Sequence, residues 1–240
     1  MKKVGIIPAR YGSSRFPGKP LADIHGKPMI QHVFERASES SLDEVFVATD
    51  DQRIVDCVIA FDGKVILTSP EHPSGTDRCG EASKRLNLSD EDIVVNIQGD
   101  EPFIQKDQID ALVQLFEDPK VEIATLVKPF ESEVDAQNPN KVKVIFAPDH
   151  KALYFSRSLI PYNRDNEPVT YYKHLGIYAY RYSVLKQLIQ LEISTLEKIE
   201  KLEQLRWLEN NFSIYVSVTH HESVAIDTPE DLHKIENINF

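Results

Sequence analysis

Short apolar runs rich in β-branched residues alternate with amphipathic stretches through the first half of the chain. Residues 4–7, 44–48, 64–68 and 93–97 read as strands of the kind buried on both faces of a parallel sheet. Between them, residues 28–39, 52–61 and 76–86 read as helices, and 106–116 as a further one. In the first helix Ile30, Val33, Phe34 and Ala37 form an apolar stripe, with Pro28 suited to the N-terminal turn. Ile109, Leu112, Val113 and Phe116 share one face of the last. This β-α-β-α order predicts an α/β fold with a mostly parallel, doubly wound sheet and right-handed crossovers.

The middle changes rhythm. Residues 142–146, 152–157 and 171–180 are extended and close in sequence, with the Pro-bearing stretch 161–168 between the last two. Such a run predicts antiparallel pairs that serve as a lid or an association surface. A helix near 183–190, a long one near 195–210, a strand at 213–218 and a closing helix from Thr228 follow. Thr228-Pro229-Glu230-Asp231 places a cap residue before Pro, with Asp in the capping-box slot. No repeat or interdomain linker is visible. The expectation is one domain, residues 1–240, with an embedded antiparallel subdomain at about 130–185.

Composition narrows the partners. With 41% hydrophobic and 27% charged residues in 240, the chain has the make-up of an ordinary globular protein. A net charge of −11 argues against nucleic acid as a partner. No stretch approaches a membrane span, and the N-terminus lacks a signal-peptide core, so no membrane partner is expected. Cys57 and Cys79 stand apart without a C-x-x-C spacing, which predicts reduced thiols and a cytoplasmic location.

Charge is distributed unevenly. Residues 1–30 hold six Lys/Arg against one Asp, whereas the other 210 hold 21 Lys/Arg against 37 Asp/Glu. Three of those cations, Arg10, Arg15 and Lys19, lie in the turn after the first strand, IPARYGSSRFPGKP at 7–20. Gly12 and Gly18 let backbone N–H groups approach an anion, Ser13 and Ser14 add hydroxyls, and the cations neutralise a polyphosphate. The spacing matches neither G-x-x-x-x-G-K-[ST] nor G-x-G-x-x-G. A solvated basic turn is the alternative, and the local concentration of positive charge disfavours it.

Two acids complement that turn. The apolar strand at 93–97 runs into Gln98-Gly99-Asp100-Glu101-Pro102, at the sheet edge where the cationic turn should lie. Asp100 there suits Mg²⁺, which takes carboxylate oxygens and bridges to phosphates. A plain Asp-Pro turn is the competing reading. Asp227 closes an extended segment before the last helix; since Thr228 can cap that helix, Asp227 is free to be a second ligand.

Other candidates are weaker on residues alone. Ser74 and Arg78 in PSGTDR can read a pyrimidine edge, but a helix N-terminus capped by Thr76 explains the segment as well. The alternation in KHLGIYAYR puts His174, Gly176, Tyr178 and Tyr180 on one strand face. With Arg157, His174 and Tyr178 can grip a polyhydroxylated acid, Arg157 forking its carboxylate. Glu203 and Gln204 read as a solvated helix face.

Together these segments resemble the 3-deoxy-manno-octulosonate (Kdo) cytidylyltransferases, the CMP-Kdo synthetases. The matching motifs are IPARYGSSRFPGKP (7–20), VATDD (47–51), SGTDR (74–78), NIQGDEP (96–102), ALYFSRS (152–158), KHLGIYAYR (173–181), LEQLR (202–206) and IDTPEDL (226–232). They run in family order across nearly the whole chain. The resemblance implies a nucleotidyltransferase fold of the nucleotide-diphospho-sugar transferase type and a cytoplasmic homodimer. It implies an enzyme that uses Mg²⁺ and CTP to make CMP-Kdo and diphosphate for lipopolysaccharide biosynthesis. By motif, Arg10, Arg15 and Lys19 look like triphosphate ligands, Ser74 and Arg78 like cytosine contacts, and Asp100 and Asp227 like metal ligands. Lys19, Arg10, Asp100 and Asp227 are then the catalytic set. Gln98, Arg157, His174, Tyr178, Glu203 and Gln204 look like the sugar site, which reverses the plainer readings of 74–78 and 203–204. Nothing carries over to residues 162–170. The alternatives are transfer to 8-amino-Kdo, transfer to another acidic sugar such as sialic acid, and a non-catalytic nucleotide-binding module; the module would not need both Asp100 and Asp227.

Overall fold

Val4, Ile6, Ile7, Val47, Val94 and Val95 are fully excluded from solvent, as strands covered on both faces should be. The computed structural model describes residues 1–12, 15–222 and 225–235, the last three by backbone alone. Ser13 and Ser14 of the cationic turn, and Val224 ahead of Asp227, lie outside the described residues. The elements of the first 120 residues are β1 (Lys3–Ala9), β2 (Asp23–Ile24), β3 (Lys27–Pro28), α1 (Met29–Ser38), β4 (Glu44–Thr49), α2 (Gln52–Ala60), β5 (Val65–Leu67), α3 (Gly75–Lys84), β6 (Ile93–Asn96) and α4 (Lys106–Gln114). There follow β7 (Ile123–Pro129), α5 (Glu133–Ala136), β8 (Lys143–Phe146), β9 (Ala152–Ser156), β10 (Tyr172–Arg181), α6 (Tyr182–Leu188), α7 (Thr195–Glu200), α8 (Gln204–Glu209), β11 (Ile214–Val218) and α9 (Pro229–Ile235).

Contacts divide the chain into two compact units. The first is Met1–Asp110 with Ser223–Phe240, the second Ala111–Glu222. In the first, β6, β1, β4 and β5 lie side by side in that order, all parallel. The chain runs outward from β1 through β4 to β5, then returns to place β6 on the other side of β1. That reversal makes the carboxyl ends of β1 and β6 the place where such sheets open a ligand crevice. The fold class expected from the alternating pattern is the one observed.

The second unit is built differently. β10 pairs antiparallel with β7 and with β8, β8 pairs antiparallel with β9, and β11 joins β7 in parallel. The antiparallel pairs expected in the middle of the chain are therefore present. β7 was not among the expected strands. Its run Ile123-Ala124-Thr125-Leu126-Val127 is wholly buried, and that unbroken apolar, β-branched character was its signal.

Two further expectations are corrected. The long helix at 195–210 is two short ones, α7 and α8, because Lys201 adopts a left-handed conformation with φ 54° and ends α7. Ser74, not Thr76, caps α3, its hydroxyl oxygen accepting from the Asp77 N–H at 3.1 Å. Thr76 is instead buried inside the first turn.

Candidate active site

Four loops leave the carboxyl ends of the parallel strands in the first unit. After β1 comes the turn with Arg10, Arg15 and Lys19; after β4, Asp50 and Asp51; after β5, residues 68–74; after β6, Gln98 to Asp100. The β1 and β6 ends stay paired one step beyond the strand, Ile97 donating its N–H to the Ile6 carbonyl at 2.9 Å. A Cβ at Gly99 would stand 3.0 Å from the Pro8 carbonyl oxygen, a contact so tight that the neighbouring backbone would have to give way. The cationic turn is closed at its base by the Gly18 N–H on the Tyr11 carbonyl, 2.9 Å, with Gly18 at φ 73°.

One apolar cluster draws the charged residues together. Ile24, Met29, Phe103 and Ile226 are buried against each other, with Phe16, Ala22 and Leu232 packed on them. Phe16 fixes its neighbour Arg15, and Ile226 fixes Asp227. The Ile226 N–H also donates to the Asp100 carbonyl at 2.9 Å, tying the two acidic segments directly. Asp231 accepts from the Asp227 and Thr228 N–H groups at 3.1 and 3.0 Å, the carboxylate half of the expected capping arrangement.

Lys19 Nζ then lies 2.6 Å from Asp100 Oδ2 and 3.5 Å from Asp227 Oδ1, and Arg15 Nη2 lies 3.1 Å from the same Asp227 oxygen. Two acids more than a hundred residues apart thus meet on one ammonium. Arg10 is exposed and pairs with no acid among the described residues. All five line a cavity of about 270 Å³ together with Ser74, Arg78 and Gln98. Cations at one wall and carboxylates beside them suit a polyanion carried with a metal.

The far wall is held by buried polar contacts. Arg78, 3% exposed, donates from Nη1 to Thr68 Oγ1 at 2.6 Å and lies 3.0 Å from Asp50 Oδ1. His72, also on the cavity, bonds Glu81, which accepts in addition from the Ser69 N–H and from Arg85. Burial pushes the Glu81 carboxyl up, but those hydrogen bonds outweigh it and hold it below the usual range. Sequence reasoning missed His72, Glu81, Asp50 and Thr68 as parts of this wall.

Asp100 and Asp227 offer hard oxygen donors converging on a point that already accommodates a cation. That fits Mg²⁺, which binds through one or two carboxylates and completes its shell with phosphate and water. Among the described residues no group of three or more His, Cys, Asp or Glu side chains is placed to hold a metal ion.

The remaining candidates belong to the second unit. His174 Nε2 lies 3.1 Å from Thr125 Oγ1, and its ring packs on Phe155 and Tyr178 at 5.1 and 5.3 Å. β10 bulges between Leu175 and Tyr178, yet His174, Tyr178 and Tyr180 keep one face, with Tyr178 and Tyr180 stacked at 6.1 Å. His174 keeps some open surface at the bottom of dense packing, and burial pushes its pKa down to about 3. Burial, with Tyr180 and Glu203 nearby, raises Tyr178 well above its ordinary value. The Tyr178 hydroxyl and Gln204 Nε2 are buried with no hydrogen-bond partner among the described residues, a state that calls for a ligand or water. Gln204 is 4% exposed and Glu203 receives Arg206 Nη2 at 2.8 Å, so the solvated-face reading of this helix is wrong. Arg157, half-buried, is tied to backbone carbonyls: Nε donates to the Glu200 carbonyl at 2.7 Å and Nη1 to the Pro139 carbonyl at 3.1 Å.

A family model described as cytidylyltransferase matches residues 4–214. The chain belongs to the cytidylyltransferase family. It is 54% identical to a 3-deoxy-manno-octulosonate cytidylyltransferase of Parabacteroides distasonis, over 98% of this chain and 96% of that one. It is 50% identical to an 8-amino-3,8-dideoxy-manno-octulosonate cytidylyltransferase of Shewanella frigidimarina, over 98% of both. A solved structure of a CMP:2-keto-3-deoxy-manno-octonic acid synthetase complexed with CTP superposes with a TM-score of 0.94 at 47% identity, covering 98% of this chain and 97% of the other.

Proposed function

We propose that the chain transfers CMP from CTP to the anomeric hydroxyl of Kdo, giving CMP-Kdo and diphosphate for lipopolysaccharide assembly. The observation that carries this reading is the meeting of Arg15, Lys19, Asp100 and Asp227 at one cavity, in a chain so close to Kdo cytidylyltransferases. The acceptor oxygen forms a bond to the α-phosphorus, the bond from that phosphorus to the bridging oxygen breaks, and the hydroxyl proton is released. Catalysis is then alignment and charge neutralisation more than covalent chemistry. Arg10, Arg15 and Lys19 hold the triphosphate and balance the charge gathering on departing diphosphate. Asp100 and Asp227 would hold Mg²⁺, which when bound supplies Lewis-acid polarisation of the phosphate. Ser74 and Arg78 face the base. We assign the acceptor sugar to Arg157, His174, Tyr178, Glu203 and Gln204 of the second unit.

The reading is tested by mixing the protein with CTP, Mg²⁺ and Kdo and measuring diphosphate, with parallel reactions on 8-amino-Kdo and sialic acid. Diphosphate with Kdo supports it. No diphosphate with any acceptor leaves a nucleotide-binding module. The 50%-identical 8-amino-Kdo relatives make that sugar the second reading, and a higher kcat/KM for it would replace Kdo. Chelation of Mg²⁺ should stop turnover without unfolding the chain.

We also propose a cytoplasmic homodimer that uses the antiparallel segment 142–181. Leu153 and Tyr162 there are 58% and 86% exposed, a large apolar and aromatic display for a free surface. Among the described residues no helix is long and apolar enough to cross a membrane, and Cys57 and Cys79 are free thiols. Light scattering giving the mass of one chain would remove the dimer.

A further inference from the structure

Arg78 is a buried guanidinium, and burying such a charge requires compensation at named atoms. Two adjacent strand ends provide it. Asp50 directly follows β4, Thr68 directly follows β5, and the Thr68 N–H donates to the Thr49 carbonyl at 2.8 Å, so the pair is fixed by the sheet itself. Both grip the same nitrogen: Nη1 meets Thr68 Oγ1 at 2.6 Å and Asp50 Oδ1 at 3.0 Å. Asp50 Oδ1 is buried and has no hydrogen bond of good geometry among the described residues, so the charge of its guanidinium neighbour supplies its compensation. Its neighbour Asp51 is engaged elsewhere, capping α2 and holding Arg53.

With Nη1 taken, the rest of the guanidinium edge remains for the cavity that Arg78 lines. Ser74 beside it offers the base less than Arg78 does, because its hydroxyl donates to Asp77 Oδ2 at 2.6 Å while capping α3. A guanidinium has only donors. It matches a pyrimidine whose ring nitrogen and adjacent carbonyl both accept, which is cytosine. In uracil that ring nitrogen carries a hydrogen and opposes the same donors.

We infer that Asp50, with Thr68, is a positioning residue for base selection: it locks Arg78 so that its free edge favours CTP over UTP. This rests on the cytidylyl-transfer reading of the same cavity.

The test is calorimetric binding of CTP and of UTP to the full chain with Mg²⁺ present and no acceptor sugar. The unmodified protein should prefer CTP. Asp50→Asn keeps the shape but removes the charge, and should weaken CTP binding about tenfold while changing UTP by less than about threefold. Its unfolding midpoint should stay close to the parent's, which separates aim from stability. Thr68→Val should move the preference the same way by less. A folded Asp50→Asn that retains the parental CTP/UTP ratio overturns the inference while leaving the transfer reaction standing. If Asp50→Asn does not fold, a parental ratio in Thr68→Val overturns it instead. A parent protein with no preference for CTP overturns the functional reading and this inference together.

Discussion

The Lys19 ammonium lies 2.6 Å from the Asp100 carboxylate, and that pair sits beyond the carboxyl ends of the adjacent strands β1 and β6. A cation already occupies the mouth of the acidic site. On nucleotide binding the lysine should turn to phosphate and leave the carboxylate to the metal. Asp100→Asn should therefore lower kcat by about a hundredfold or more, some 3 kcal/mol of barrier. Diphosphate release at saturating CTP and acceptor measures it. Near-normal turnover would remove Asp100 from the metal-binding role.

Arg157→Ala should raise the acceptor KM about tenfold and the CTP KM less than about twofold. The variant also leaves the Glu200 and Pro139 carbonyls without a donor, so some stability should go with it, about 1–2 kcal/mol. Initial-rate kinetics with each substrate varied in turn gives the ratio. Equal rises in both KM values would place Arg157 outside the sugar site.

The enclosed His174 makes stability depend on pH. Its folded pKa is about 3 against an ordinary 6.5, because burial disfavours the imidazolium. The unfolded chain takes up this proton near 6.5 and the folded chain does not until about 3. Stability from this residue is complete above 6.5 and falls as pH drops toward 3, by up to about 1.4 kcal/mol per pH unit. Glu44, pulled to about 2 by hydrogen bonds from Lys2 and Lys64, acts in the same direction, but only below its ordinary 4.5. Urea midpoints at pH 7.5 and 5.5 isolate the histidine. His174→Gln should flatten the difference between them; an unaltered slope would mean that the ring already carries its proton when folded.

Lys201 holds φ 54° and ψ 46° between α7 and α8, a conformation that costs a side-chain-bearing residue about 1–2 kcal/mol. Part of that returns in Lys201→Gly, offset by the freedom glycine loses on folding. The variant should gain about 0.5–1 kcal/mol in urea titration. A loss instead would assign the lysine side chain a role in holding the two helices.

Much of the first unit was legible. Its strands are β-branched runs separated by single amphipathic helices, and burial on both faces leaves little room for another reading. The cations of the turn stood out because an acidic chain concentrates positive charge there. Asp227 was less visible: the packing of Ile226 with Phe16 and Phe103 and its N–H on the Asp100 carbonyl bring it to the turn, and no local pattern encodes that. The same holds for Asp50 and Thr68, whose partner Arg78 lies ten or more residues away. The break at Lys201 was hidden because lysine seldom takes a left-handed turn, and the apolar spacing continues past it. Gln204 was misjudged because periodicity cannot distinguish a polar residue facing water from one facing a buried recess. β7 is a different case, since its signal was plain in Ile123 to Val127.

Gly99 has a consequence for how such a protein can diversify. A lone hydrogen at the seam with Pro8 fixes the spacing between basic and acidic halves through main-chain geometry rather than side-chain choice. Changes in preferred sugar or base can accumulate around the rim without disturbing that gauge, whereas a larger residue at the seam would press on the Pro8 carbonyl and strain both halves together.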